Sequence, residues 1–457
     1  MISTSENYKE KVSSDYRKWK GKIEIYFEGE NNPPTVFDDE EMISLSLLEE
    51  LSGDALGPVG SVTANELRFT LNDTDKMFLP TNTESPYYQK QVPGIIVKAF
   101  LGLEVGGDFE YIPLGKFKTS TWNYDYDGLT VNATCYDILA DLMKQPMPII
   151  PIQYSKTLKE AFEVLFYFLG LSTSEYSIDS GLTQMLDIFW YEGDTVGECL
   201  EKLATAGFSS VYVDRYGVIK IRRLLNHEAF ISHWTGEDQI LSMEIESPYD
   251  KIYSGMDLTY KKSYVGNVEK PEEILSLTDL QVPSGNITLD RVSLNGPVAF
   301  LHSIELKKRS SHQVYLDSAE VGVNLGKFIL SSPLGTTVDL NIYGYKVEEA
   351  SFTIQQKNST VVGMVGEKTY FYETQYIQNE GYAVAVSANM LKMLSFPSRN
   401  VRIEARGNPA LEVGDVIKIS DERLKVVNKE ILVTKLEYAY DGGLSCSVYG
   451  MAKEALS

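Results

Sequence analysis

Apolar and polar residues alternate with a period of two through the first third of the chain. Ile23, Ile25 and Phe27, then Leu67, Phe69 and Leu71, then Ile95 and Val97, each set apolar side chains on one face of an extended segment. Turn-forming residues separate these runs: Asn31-Asn32-Pro33-Pro34, Gly106-Gly107 and Asp127-Gly128. The last predicts a hairpin, because both residues tolerate positive φ. Tyr136 to Met143 predicts a short helix stopped by Pro146 and Pro148.

From Ile149 the period lengthens toward four and then returns to two, as for helices packed on a small sheet. Leu158 to Leu171 reads as a core helix interrupted by Lys159, Glu160 and Glu163. Thr195 with Glu198 predicts a capping box, Val196, Leu200, Leu203 and Ala204 an apolar face, and Gly207 a stop. Val211 to Val213 and Val218 to Ile221, joined through Asp214-Arg215-Tyr216-Gly217, predict a hairpin. The stretch after Leu241 leans β with weak punctuation, and Tyr264 to Val292, with Pro271, Pro283 and Gly285, reads as a surface excursion. A helix over Gly381 to Leu394 leads through Phe396-Pro397 into a last block. There Val401, Ile403 and Ala405, then Val416–Ile419, Lys425–Val427, Ile431–Tyr440 and Leu444–Tyr449, predict five short antiparallel strands and a small barrel. The expected fold is mainly β with an α/β insert: barrel-like β blocks at 1–148 and, after a helix, within 381–457, separated by an α/β domain (149–235) and a further β-rich domain (236–380).

With 457 residues the chain is about three ordinary domains long. Its 42 Lys and Arg against 64 Asp and Glu give a formal charge of −22, which disfavours a broad grip on a phosphate backbone. Cys135, Cys199 and Cys446 are far apart and odd in number, as expected of buried thiols in a reducing compartment rather than a disulfide framework. The polar N-terminus has no signal-like apolar run, so synthesis and assembly in a cytoplasm are expected.

Candidate chemistry is sparse. His227, His233, His302 and His312 could form a metal site only by meeting in space, and the spacing of His227 and His233 places them on different sides of a helix. Asn123, Asp125, Asp127 and Gly128 match the first half of a calcium loop, but Thr134 stands where a bidentate Glu is needed. Asp187 and Glu192 beside Trp190 are the place to look for paired acids. No GxSxG, GxxxxGK[ST] or strand-linked GxGxxG occurs. The clusters Arg222-Arg223 and Lys307-Lys308-Arg309 read as solvated strand ends or oligomer contacts. No residue is assigned to catalysis, to a metal or to a cofactor.

Two stretches resemble the hub proteins of phage tails and baseplates, a family related to the hubs of contractile injection systems and to the N-terminal domains of tail-associated lysins. Tyr111-Ile112-Pro113-Leu114-Gly115-Lys116-Phe117, followed by Asn132 to Leu139 with its Tyr136-Asp137-Ile138-Leu139, is similar to the end of the family's first tube-like domain. Arg406-Gly407-Asn408-Pro409-Ala410-Leu411-Glu412-Val413-Gly414-Asp415-Val416-Ile417 is similar to the turn opening the second. Gly193 to Ile219 looks like the family's α/β insert.

The resemblance implies two tube-like β-barrel domains per chain and a non-enzymatic homotrimer in which six barrels match a sixfold tail tube above and a threefold spike or fibre below. It further implies a tail tube or distal tail protein and a tape measure protein as partners, a place in the virion tail tip or baseplate, and DNA passing through the lumen without specific binding. Acidic residues lining that channel would repel DNA, an expectation that fits the net charge. Two other readings are a tail-associated cell-wall hydrolase and a carbohydrate-binding receptor adhesin, for which Trp190, Tyr191 and Trp234 would offer stacking faces.

Overall fold

The computed structural model describes all residues except 53–55, 225–230, 237–238, 247–250, 310, 397–399 and 454–457, so His227 and Pro397 lie outside the described residues. The fold is mainly β. Its first and last parts are joined edge to edge in one 13-stranded sheet. At the seam, strand Met42–Glu50 pairs antiparallel with Val426–Tyr440, Leu45 opposite Tyr440 and Glu50 opposite Lys435. On one side the sheet continues through Glu66–Asn72, Thr130–Tyr136, Asp108–Asp125, Ile96–Val105, Trp19–Tyr26 and Thr35–Asp38. On the other it runs through Leu444–Ala452, Asn400–Ala405 and Ile240–Glu246.

The seam exists because one strand is longer than its sequence suggests. The two short strands expected over 425–427 and 431–440 are a single strand of 15 residues. Asn428, at φ 53°, bends it without ending it. Its first half pairs with Val416–Asp421 and its second half with Met42–Glu50. Among the described residues the last block therefore has four strands of its own, not five, and is completed by two from mid-chain. Ser232–Thr235 joins Val416–Asp421 in parallel, and Ile240–Glu246 joins Asn400–Ala405 antiparallel.

The alternation that predicts these strands also fixes what they bury. Ile23, Ile25, Leu67, Phe69, Leu71 and Val97 lie in one apolar cluster with Ile403, Ile417, Ile419, Leu436 and Tyr438. Each end of the chain thus supplies part of the other's core.

A second core holds the helices Leu158–Phe168, Val196–Ala206 and Glu380–Ser395. The capping box forms at Thr157 with Glu160, which the sequence reading did not anticipate. At Thr195 only half of one forms. The Glu198 N–H donates to Thr195 Oγ1 at 3.3 Å, while the Glu198 carboxylate accepts from the Asp194 N–H at 2.8 Å. Gly207 keeps a right-handed φ of −82°, and Phe208 takes the left-handed turn at 49°. A Cβ at 207 would lie 2.8 and 2.9 Å from the terminal methyls of the buried Leu182 and Leu158, which would have to shift to admit it. At the Asp127-Gly128 turn the positive φ likewise falls one residue on, at Leu129. The short helix is Ile138–Leu142, with Tyr136 still in a strand and Asp137 as the N-cap.

Tyr264 to Val292 is not a surface excursion. Glu272–Val282 and Gly285–Ser293, with Val298–Lys308, Tyr315–Val321, Leu325–Ser332 and the first half of Thr336–Lys357, enclose a third core of Ile274, Phe328, Leu330, Leu340 and Ile342. The prolines sit between strands. Phe328→Ala is expected to cost about 3–5 kcal/mol there, and to speed amide hydrogen exchange across 272–342 while 426–440 stays protected. Equal loss of protection in both would show that this core is not separate.

Candidate functional site

The residues singled out by the two motifs meet at the junction between the halves of the shared sheet. The hairpin Ser209–Val213 and Ile219–Arg223 ends in a turn held by Asp214, whose Oδ1 accepts from the N–H groups of Tyr216 at 2.9 Å and Val218 at 3.0 Å. That rigid turn drives Arg215 into the junction, where it is 3% exposed. Its Nε donates to Glu49 Oε1 at 2.9 Å and its Nη2 to Glu49 Oε2 at 2.7 Å and to the Leu411 carbonyl at 2.8 Å. Its Nη1 donates to the carbonyls of Pro409 and Pro113.

All five N–H donors of the guanidinium are thereby used. They reach the first half of the sheet at Glu49 and Pro113 and the second half at Pro409 and Leu411. The Tyr438 ring centroid lies 5.7 Å away, and its hydroxyl donates to the Asn408 carbonyl at 2.8 Å. Burial opposes the charge of Arg215, and the Glu49 carboxylate more than offsets it, so the guanidinium holds its proton above its ordinary range.

The other motif residues serve the same junction. Gly115 has φ 142°, and a Cβ there would lie 2.5 Å from the Phe117 ring, so the Gly-x-Phe of the first motif is one packing unit. Asp137 accepts from the Asn65 N–H at 2.8 Å and the Leu139 N–H at 2.9 Å, while Asn65 Nδ2 donates to the Val213 carbonyl at 3.0 Å. The chain Asp137–Asn65–Val213 ties the first block to the hairpin that carries Arg215. Burial pushes the Asp137 carboxyl up to about 7, against the N–H groups of Asn65, Leu139 and Ala140, which favour its charged form.

A second clasp, unforeseen in the sequence, lies at 375–378. Gln378 accepts from the Asp187 N–H at 2.7 Å and donates to the Ile188 carbonyl at 2.7 Å. Gln375 Nε2 donates to the Trp190 carbonyl at 3.0 Å, and the Glu192 N–H donates to the Tyr376 hydroxyl at 2.8 Å. Three side chains thus act as a neighbouring strand for 187–192. This places Asp187 exposed, Trp190 buried, and Glu192 3.5 Å from Lys202, on a cleft of about 580 Å³ between the α/β part and the third core. Of the rings considered for glycan stacking, Trp234 is buried, while Trp190 and the half-buried Tyr191, whose hydroxyl donates to the Ala161 carbonyl at 2.7 Å, line the wall of this cleft.

The described histidines are placed apart. His233 pairs with Ser420 at 2.9 Å, His302 with Tyr345 at 3.2 Å and His312 with the Gly335 carbonyl at 2.8 Å. Among the described residues no group of three or more His, Cys, Asp or Glu could hold a metal ion. Asp125 accepts from the Asp127 N–H at 3.1 Å, closing an ordinary hairpin tip between paired strands. The three cysteines are buried and free. Burial raises all three thiols, Cys199 and Cys446 to about 12. In the basic clusters, Arg309 is held by Asp279 and Asp339, and Arg223 donates to the Gly181 carbonyl at 3.0 Å.

The solvent face of the shared sheet is a mosaic of matched charges. Glu30 bridges Lys98 at 2.9 Å and Lys116 at 2.6 Å, and Lys22 pairs with Glu24, Arg402 with Glu404 and Lys435 with Glu437 at 2.8–2.9 Å. Lys22 also lies 4.2 Å from the centre of the Phe100 ring, and Lys435 lies 5.0 Å from that of Tyr449.

No family model and no curated protein matches the sequence. Solved structures match nearly its whole length, two tail proteins among them. The 43 kDa tail protein of prophage MuSo2 from Shewanella oneidensis aligns with a TM-score of 0.52 at 11% identity, over 96% of this chain and 99% of that one. A tail protein from Neisseria meningitidis MC58 aligns with a TM-score of 0.54 at 6% identity, over 96% and 98%. The chain has the fold of these tail proteins. At such identities the likeness is one of fold, and it agrees with the fold that the two motifs imply.

Two outcomes test the junction of this tail-protein fold. Arg215→Met leaves Glu49 buried without its partner and should cost about 3–5 kcal/mol in urea unfolding; a loss under about 1 kcal/mol would mean that water replaces the guanidinium. The raised Asp137 carboxyl binds its proton more tightly folded than unfolded, where an aspartate titrates near 3.8. Its contribution to stability is full below about pH 4 and is lost as pH rises through about 7. Asp137→Asn should flatten that part of the stability profile, and an unchanged slope would show that Asp137 does not titrate there.

Proposed function

We propose that the chain is a structural hub protein of a phage tail tip or baseplate. Three copies form a ring that adapts a sixfold tail tube to a threefold spike or fibre and encloses part of the path of DNA. The observation that carries this reading is the junction itself. One sheet and one buried arginine hold two β units of a single chain in fixed relation, so each chain delivers two wall segments and three chains deliver six. The whole-length likeness to tail proteins and the two motifs support it.

The partners in this reading are a second and third copy, a tail tube or distal tail protein, a spike or fibre protein and a tape measure protein. Its place is the virion tail, and its role is non-enzymatic. The charge mosaic changes the expected passage of DNA. If the solvent face of the shared sheet lines the lumen, the wall is close to neutral rather than acidic, and each lysine named there is already engaged by a carboxylate or a ring. A phosphate backbone finds few free cations on such a wall. The adhesin reading has less support, because Trp234 and most of Trp190 are buried and Tyr191 is half-buried and tied to the Ala161 carbonyl.

Native mass spectrometry of the full chain is expected to show a species of three times the 51.3 kDa subunit. A strict monomer at high concentration would contradict the ring.

A further inference from the structure

Strand Gly255–Val265 is the middle of a three-stranded layer, flanked by the second half of Thr336–Lys357 on one side and by Thr369–Thr374 on the other. Beyond Val347 no strand pairs with the outer edge of the first flank among the described residues, and none pairs with the outer edge of Thr369–Thr374. The layer ends in two open edges. The edge at 348–357 carries charges only at its ends, Glu348, Glu349 and Lys357; its pairing with Gly255–Val265 runs without a bulge, and no proline interrupts it.

The hydrogen bonds at its two ends reveal which groups point outward. The Asn358 N–H donates to the Ser254 carbonyl at 2.9 Å and the Gly266 N–H to the Lys346 carbonyl at 2.8 Å, both in the register of the ladder between them. Even-numbered residues of 348–356 therefore bond inward, and Glu349, Ser351, Thr353, Gln355 and Lys357 present their N–H and C=O groups outward. On the opposite edge the Gly255 N–H donates to the Lys368 carbonyl at 3.1 Å. Thr369, Phe371 and Glu373 therefore present theirs outward.

Side chains follow the same parity. Met256, Leu258 and Tyr260 belong to the second core, Ile354, Tyr370 and Tyr372 pack on it, and Phe352 stacks on Tyr260 at 5.4 Å. Odd-numbered residues occupy the polar face, where Thr259 and Thr353 hydroxyls lie 2.9 Å apart and Gln355 Nε2 donates to Asp257 Oδ2 at 3.1 Å. On both edges, then, the outward-bonding residues carry their side chains on the same polar face. A sheet continued from one edge to the other keeps its apolar face apolar.

We infer that residues 351–357 of one copy pair antiparallel with residues 367–373 of the next, Thr353 opposite Phe371. The inference rests on the ring proposed above and names a surface through which it closes. In this register Phe352 and Ile354 meet Tyr372 and Tyr370, the Lys357–Glu367 ion pair of one chain lies against that of the next with each lysine opposite a glutamate, and Ser351 meets Glu373, which Lys261 holds, so no like charges are opposed. Phe352 and Phe371 are 44% and 73% exposed in the single chain, and the pairing covers both. Because the two edges differ, the contact repeats in one direction, as a cyclic ring requires.

Cross-linking the full-length double variant Thr353→Cys, Phe371→Cys with a short bismaleimide tests the contact, since the native thiols are buried. Covalent oligomers up to the ring size are expected from the double variant and none from either single variant. Thr353→Pro removes an outward N–H and leaves the inward ladder intact, so self-association should weaken at least about tenfold with an unchanged circular dichroism spectrum. If the wild type is a ring but neither effect is seen, the edge pairing falls and the ring stands; a strand from another protein would then be the occupant. A monomeric wild type overturns both.

Discussion

The geometry of the molecule depends on burying one guanidinium without leaving any of its donors unpaired. Arg215 reaches a carboxylate and a carbonyl on one half of the sheet and two carbonyls on the other. A buried charge that loses its partner costs several kcal/mol, so the two halves and the hairpin of the α/β part must come together in one relative placement. An apolar contact would tolerate a slide of a few ångströms; a planar fork with five directed donors does not. The continuous sheet supplies cohesion, and the arginine supplies orientation.

That division of labour explains what was legible in the sequence. Strands such as Ile23 to Phe27 and Val401 to Ala405 are visible because alternation is local and one face is buried. Their partners are not visible. Met42–Glu50 and Val426–Tyr440 pair across most of the chain, and any two alternating segments look equally compatible. One signal of the junction was present: the period that buries Leu45 and Leu47 also places Glu49 on the same inward face, where it is 2% exposed. A carboxylate at an inward strand position demands a buried cation. Arg215, at the tip of a tight turn, gave no comparable sign, because which acceptors it meets is set by elements far away in sequence. The glutamines at 375 and 378 were silent for the same reason, since a side chain that stands in for a strand has no periodicity.

The charge of the chain also changes meaning once it is placed. A formal −22 suggested an acidic lining, yet on the solvent face of the shared sheet carboxylates are matched with lysines and arginines, several of which also lie over aromatic rings. Such cross-strand pairs stiffen a sheet more than they repel a polyanion. A sheet face of matched charges and open strand edges elsewhere are consistent with the proposed role as one segment of a larger, symmetric structure.

The central claim is that one chain carries two rigidly joined wall segments of a closed ring. Electron microscopy of the purified full chain tests it most directly. Class averages should show a threefold ring with six β lobes around a central channel, two lobes per chain in constant relation. Single particles in which the two lobes of one chain vary in relative orientation, or rings with one lobe per chain facing the channel, would contradict the account.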